Sequence, residues 1–201
     1  MSYATVSQVR DHLKGVELTA LGSTSEQDAQ LMAAAEAATE RVDDLCGRRF
    51  TTVTETRVFD GPGGAVLVLP DLLTLTAWSL EGTDQPPEAL ALFPLNGTPK
   101  VWARPRTGSG NPFPEGLGNV TITGTWGYSA SVPGAVSRAC ALFAAAAILR
   151  RLAPARGRGA TGVTQGSLTE RYEGGAYADD ERRYEVEARI MLRPLRRRRI
   201  R

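Results

Sequence analysis

Apolar residues along this chain recur first at a helical period, then at a period of two, then at a helical period again. Val6, Val9 and Leu13 fall on one face of a short opening helix, which Thr5 or Ser7 caps and Gly15 ends. A loop over residues 19–24 follows. Leu31, Ala35, Ala38, Val42 and Leu45 then make the apolar stripe of a second, longer helix. Ser25 is its predicted N-cap, because a serine hydroxyl accepts an orphan N–H of the first turn. Glu26 and Asp28 sit where the helix dipole favours anions. Gly47 supplies the left-handed stop, and Arg48 and Arg49 follow the negative end of the dipole.

The period changes after residue 50. Val53, Glu55, Arg57 and Phe59 share one face of a strand over residues 51–59. Asp60-Gly61-Pro62-Gly63-Gly64 is a turn signal, and residues 65–69 are a short apolar strand, so the pair predicts a hairpin. Residues 73–80 predict a third strand, with Leu73, Leu75 and Ala77 on one face against Thr74, Thr76, Trp78 and Leu80 on the other. Residues 82–87 predict a loop. Residues 89–93 and 100–103 predict short strands around the Asn96-Gly97 turn, and the Pro/Gly-rich stretch 104–118 an exposed excursion. Residues 119–126 alternate most cleanly, with Val120, Ile122, Gly124 and Trp126 against Thr121, Thr123 and Thr125.

Helical spacing resumes at Val132-Pro133, with Ser131 as the predicted cap. The helix over residues 135–153 is apolar on all sides at its centre. It must be buried all round, in the core of its own domain or against a neighbouring subunit. Residues 154–166 predict a mobile connector and residues 163–172 a strand or an ordered arm; Gly174-Gly175 breaks the chain. A last helix over residues 179–192 carries Asp179, Asp180 and Glu181 at its positive end and a stripe of Tyr184, Ala188, Met191 and Leu192. Pro194 ends it.

These elements predict an α+β fold: a helical bundle of two N-terminal and two C-terminal helices, residues 1–50 and 132–192, interrupted by a β-rich insertion, residues 51–131. Residues 193–201 form an extended basic tail.

Charge changes this picture by dividing the chain. Residues 1–100 carry 14 Asp/Glu and 7 Lys/Arg, a net of −7, whereas residues 101–201 carry 8 and 17, a net of +9. Six of the last nine residues are arginine. Such opposed halves suit self-association in a fixed order, or an anionic partner at one end. Arg150, Arg151, Arg156 and Arg158 form a further basic cluster, a collar for which the acidic half offers a surface on a neighbour.

Candidate chemistry is sparse. His12 is the single histidine, which excludes His clusters. Cys46 and Cys140 are far apart with no C-x-x-C, against a zinc ribbon or a disulfide framework and in favour of a reducing compartment. Gly61-Pro62-Gly63-Gly64 has no Gly-Lys-Ser/Thr after it and reads as a turn, not a phosphate loop. The Gly127-Tyr128-Ser129-Ala130-Ser131 segment lacks a base for a serine nucleophile. Asp43-Asp44 point about 100° apart on a helix and do not converge on one metal. No cofactor, metal site or catalytic residue is predicted. The opening residues lack a charged segment followed by an apolar stretch, and the longest apolar run, residues 139–149, is 11 residues against the ~20 that span a bilayer. A soluble, intracellular, non-membrane protein is expected.

The Arg193-Pro194-Leu195-Arg196-Arg197-Arg198-Arg199-Ile200-Arg201 ending is the most distinctive segment. Arginine offers a fork of donors to carboxylate or phosphate, and Leu195 and Ile200 add apolar anchors that a purely electrostatic tail does not need. A docking arm is therefore favoured over a solvated tail. Without a helix-turn-helix signature or an aromatic stacking platform, nucleic-acid binding by the basic half is the alternative.

Several segments resemble tailed-phage head–tail connector (adaptor) proteins. They are the opening Tyr3-Ala4-Thr5-Val6-Ser7-Gln8-Val9-Arg10-Asp11-His12-Leu13, the helix end Val42-Asp43-Asp44-Leu45-Cys46-Gly47-Arg48-Arg49-Phe50, the strand 120–128 leading into Val132-Pro133-Gly134-Ala135-Val136, and Met191-Leu192-Arg193-Pro194-Leu195-Arg196-Arg197. The resemblance implies a structural virion protein, not an enzyme, in a homo-oligomeric ring, usually of twelve, beneath the portal. Such a ring extends the DNA channel and joins the head to the stopper or tail, with DNA passing through without sequence-specific contact. It places the protein in the virion neck, and in the host cytoplasm during assembly. It also implies that the closing segment inserts into the portal, which here means Arg193, Leu195, Arg196, Arg197, Arg198, Arg199, Ile200 and Arg201. Leu142, Phe143, Ile148, Leu149, Arg150 and Arg151 of the long helix are the expected core or oligomer-facing residues.

Overall fold

In a computed structural model, residues 2–106, 113–152, 163–165, 168–170 and 176–197 are described. They form an α+β fold of two compact units, one of residues 1–47 with 134–201 and one of residues 48–133.

The first unit is helical. Its elements are α1 (Val6–His12), α2 (Thr24–Cys46), α3 (Gly134–Leu152) and α4 (Ala176–Leu192). Thr5 caps α1 in a reciprocal box: Gln8 N–H donates to Thr5 Oγ1, and Thr5 N–H donates to Gln8 Oε1 at 2.8 Å. Ser23, not Ser25, caps α2. Ser23 has a glutamate three residues on, and Glu26 reaches back to accept from Ser23 N–H at 2.7 Å. Ser25 has Asp28 at that position, whose side chain is spent instead on Arg10. Gly47 closes α2 in the left-handed conformation (φ 63°), its N–H bonded to Asp43 O. Leu31, Ala35, Ala38 and Val42 are buried as the stripe requires, but Cys46 takes the last buried position in place of Leu45.

The long helix α3 begins at Gly134, so Ser131 precedes its first turn rather than capping at Val132 or Pro133. Twelve of its 19 residues are buried. Five of those twelve are alanines, whose small side chains let helix backbones approach closely. α1, α2 and α4 all pack on α3, so no neighbouring subunit is needed to cover it. α4 starts at Ala176, three residues ahead of the predicted start, and buries Ala188 and Leu192. Within 163–172, Val163–Gln165 pairs antiparallel with Leu168–Glu170. The rest of the predicted connector, residues 154–162 and 166 with Arg156 and Arg158, and Gly174-Gly175 lie outside the described residues.

The second unit is a six-stranded antiparallel sheet of β1 (Val53–Gly61), β2 (Leu67–Leu80), β3 (Thr83–Gln85), β4 (Leu90–Phe93), β5 (Lys100–Pro105) and β6 (Gly116–Trp126). The order is β1-β6-β2-β5-β4, with β3 on β2. The predicted hairpin between β1 and its successor does not form. β6 lies between them, paired with β1 from Val53↔Trp126 to Phe59↔Val120 and with β2 from Leu72↔Trp126 to Leu80↔Val120. β6 buries Val120, Ile122 and Trp126 on one face, and the central place satisfies its backbone on both edges. Period-two alternation reports which face a residue takes, not which strand lies beside it.

β2 is one strand where two were predicted, and it passes through Asp71 at φ 56°. Register shifts at Leu72/Thr74 and Leu75/Ala77 each change its phase, so Leu72, Leu75 and Trp78 all pack on the core while Ala77 is exposed. Leu75 and Trp78, predicted on opposite faces, thus share the core side. The predicted loop 82–87 contains β3, joined to β2 by Glu81 and Gly82, both with positive φ (51° and 76°), the pattern of a two-residue hairpin turn. Gly124 is required where β6 meets β2: an added Cβ lies 2.2 Å from Thr74 O. Leu69, Leu72, Trp78, Phe113, Ile122 and Trp126 anchor the core of this unit. The opposite face is a threonine lattice, with Thr54 bonded to Thr125 and Thr56 to Thr123 through their hydroxyls.

Candidate functional site

The predicted site residues divide between the middle of α3 and the end of α4. Leu142, Phe143, Ile148 and Leu149 are all buried on α3. Arg150 and Arg151 lie in its last turn, where cations complement the dipole. Arg151 is exposed, but Arg150 is committed internally: its Nε donates to Glu181 Oε1 at 2.7 Å and its guanidinium also reaches Glu185 at 3.0 Å. Arg150 thus joins α3 to α4.

Glu185 is the centre of this network. Arg41 of α2 meets it in a two-pronged pair, 2.9 Å on each side, and Arg150 and Arg189 approach the same carboxylate. The Arg41 hydrogen bonds, ahead of the other partners, hold the Glu185 carboxyl down at about 2. The Arg150 guanidinium is pushed further up, first by its bond to Glu181. One carboxylate, 17% exposed, therefore ties α2, α3 and α4 together. Composition does not reveal this site: it needs Arg41, Arg150 and Glu185, which are far apart in sequence, on one junction. Of the three acids predicted at the positive end of α4, Asp179 alone lies in its first turn, because the helix starts at Ala176; Asp180 pairs with Arg183 and Glu181 with Arg150.

A three-residue 3-10 turn, Arg193–Leu195, follows α4. Arg193 and Arg196 are exposed, and Leu195 and Arg197 are half-buried. Arg197 N–H donates to Cys46 O at 2.8 Å, which lays the start of the basic segment against the end of α2. Arg198, Arg199, Ile200 and Arg201 lie outside the described residues.

The remaining groups of catalytic type have partners within the fold. His12 stacks edge-on with Tyr184, whose hydroxyl donates to His12 O at 2.7 Å; burial first, then Arg138, lowers the imidazole's pKa. Cys46 and Cys140 are both buried, and burial pushes the Cys140 thiol up, away from a reactive thiolate. Gly61 ends β1, where Asn119 Oδ1 accepts from its N–H, and the glycine-rich turn follows. Ser129 Oγ donates to Ser131 O. Asp71, buried in β2, faces Arg48 at 3.6 Å, and the Arg48 guanidinium lies over the Tyr128 ring. Among the described residues no three His, Cys, Asp or Glu side chains are grouped to hold a metal ion, and no helix is long and apolar enough to cross a membrane.

A protein in the neck of an empty gene transfer agent (GTA) particle, computed with C6 symmetry, superposes on this chain with a TM-score of 0.55, covering 97% of this chain and 90% of that one. The chain shares its fold with a gene transfer agent neck protein. Identity to it is 20%. A second match, in the virion of a native gene transfer agent particle, has 22% identity, covers 89% of this chain and 87% of that one, and has a TM-score of 0.50. No protein-family model and no curated protein matches the sequence. The resemblance to head–tail connector proteins drawn from the sequence is met at the level of fold.

Proposed function

We propose that this chain is a structural, non-enzymatic neck component of a virion-like particle. In this reading it is a head–tail adaptor that forms a ring beneath the portal, extends the DNA channel and joins the head to the stopper or tail. The observation that carries the reading is the end-to-end match to a protein of a gene transfer agent neck. A match over both chains nearly in full leaves little room for a different domain plan. The C6 symmetry stated for that neck supports a ring of copies, and a six-fold axis accommodates the twelve subunits that the connector resemblance implies.

The helical segments 1–50 and 132–192 then act as a bundle interrupted by the β-rich segment 51–131. Residues 193–201 act as the arm that enters the portal, through Arg193, Leu195, Arg196, Arg197, Arg198, Arg199, Ile200 and Arg201. The Arg197–Cys46 backbone bond supports this by giving the arm a defined point of departure. DNA in the channel is met without sequence reading, and assembly takes place in the host cytoplasm before the virion is complete.

The test mixes the purified chain with the portal ring encoded by the same genome and images the product by electron microscopy. A joint ring is expected. Truncation after Leu192 should abolish joining while circular dichroism shows the helices intact, because the last helix ends at Leu192 and the Arg197–Cys46 backbone bond that is lost is worth about 1 kcal/mol. Joining that survives the truncation overturns the docking arm; salt-sensitive binding of duplex DNA without portal joining favours the nucleic-acid reading instead.

A further inference from the structure

Two helix faces of the first unit are left uncovered, and they carry opposite charge. On α2 the face turned away from the core presents Ala29, Met32, Ala33, Glu36, Ala37, Glu40 and Asp44, all exposed. Glu36, Glu40 and Asp44 are four residues apart in turn, one carboxylate per helical turn, and none makes an ion pair among the described residues. On α4 the outward face presents Val186 and Ile190, 50% and 65% exposed, with Arg182, Arg183, Arg189 and, just past the helix, Arg193 around them against the two carboxylates Asp179 and Glu187. Arg182 and Arg193 make no ion pair among the described residues, and Arg189 has only the longest contact to Glu185, 3.4 Å.

The spacings on the two faces are the same. Val186 and Ile190 are as far apart as Ala33 and Ala37, about 6 Å along the axis. Arg189 and Arg193 stand to them as Glu36 and Glu40 stand to the alanines. Laid parallel in one register, the two bulky apolar residues of α4 sit over the two alanines of α2, where a small side chain leaves a hole. Arg189 then meets Glu36 and Arg193 meets Glu40. Antiparallel packing on the same alanines instead sets Glu36 toward Glu187 and Asp44 toward Asp179, like charge on like, and Glu40 toward Arg183, which already pairs with Asp180.

We propose that the α4 face of one copy docks on the α2 face of a second copy of this chain, head to tail, with Val186 and Ile190 on Ala33 and Ala37 and the arginines on the carboxylates. The proposal rests on the ring reading and names the faces that close the ring. Two distinct faces on one protomer are what a heterologous ring contact needs. The direction also fits. Within one protomer α2 and α4 run the same way, since Arg41 pairs with Glu185 and, further along both, Cys46 O accepts from Arg197 N–H. Rotation about an axis near their common direction keeps them parallel between copies.

The test uses two full-length charge-reversed chains, E36R/E40R and R189E/R193E, with mass photometry and electron microscopy of each alone, of their mixture, and of wild type, free and with the portal ring. Each reversed chain alone faces like charge with like, and its self-association should weaken about a hundredfold. The mixture should assemble, because both contacts of an alternating ring are then complementary. Circular dichroism confirms that each variant is folded. If wild type assembles and both reversed chains assemble equally well, the pairing is overturned and the neck reading stands. If R189E/R193E loses only portal joining and keeps self-assembly, the α4 face belongs to the portal and the pairing is overturned. A wild-type chain that assembles in neither setting overturns both.

Discussion

Replacing Glu185 by glutamine keeps the shape of the side chain and removes the charge that α2, α3 and α4 share. The folded carboxyl titrates at about 2 against an ordinary 4.5, so at neutral pH its ionised form is favoured by the fold. A shift of that size corresponds to about 3 kcal/mol if the pairing were fully shielded. Arg150 is 60% exposed and Arg41 34%, and solvent screening of those partners brings the expected loss in E185Q to roughly 1–2 kcal/mol. The glutamine also leaves the half-buried Arg41 with a weaker acceptor, which works in the same direction. The sign of the pH dependence follows from the lowered pKa. The stabilisation is complete above pH 4.5, declines as pH falls below it, and is lost as pH passes about 2. Urea unfolding followed by circular dichroism, run on wild type and E185Q at a series of pH values, measures it. The gap between the two proteins should be largest at neutral pH and should narrow steadily below pH 4.5. A gap that stays constant from neutral to acid pH would falsify the charge network as the source of the stabilisation and leave only the packing of the side chain.

Two further substitutions probe the sheet. G124V should destabilise the protein by more than the ~1–3 kcal/mol of ordinary overpacking, because the added atoms meet backbone at Thr74 that cannot swing aside; thermal unfolding measures it, and a neutral result refutes the close β2–β6 approach. W78A should cost about 3–5 kcal/mol while A77S stays within about 0.5, and the reverse ranking in urea denaturation would refute the inward placement of Trp78.

The glutamate network also shows where sequence reading stops. Asp179 is legible as a first-turn acid because dipole complementarity is local, whereas the earlier start of α4 leaves Asp180 and Glu181 past the first turn. Glu185 is not, because its weight comes from Arg41 and Arg150, which only the packing of three helices brings to it. The same reason explains Arg150, which reads as part of a basic collar and is bound inside the unit.

Local physics determined the α+β class and the stripes of Val6–Val9 and Leu31–Val42, because helical spacing and caps act within a few residues. It also determined strand β6, whose alternation is unbroken from Val120 to Trp126. The Ser25 cap failed within the same local physics, since Ser23 and Glu26 form the better reciprocal pair. Tertiary structure alone decided that β6 lies between β1 and β2, that two register shifts bring Leu75 and Trp78 to the same side, and that α3 is covered within its own chain. Each of those outcomes depends on which surfaces meet across a long sequence separation. Periodicity names the apolar face of an element, and the competition among faces for burial names its neighbour.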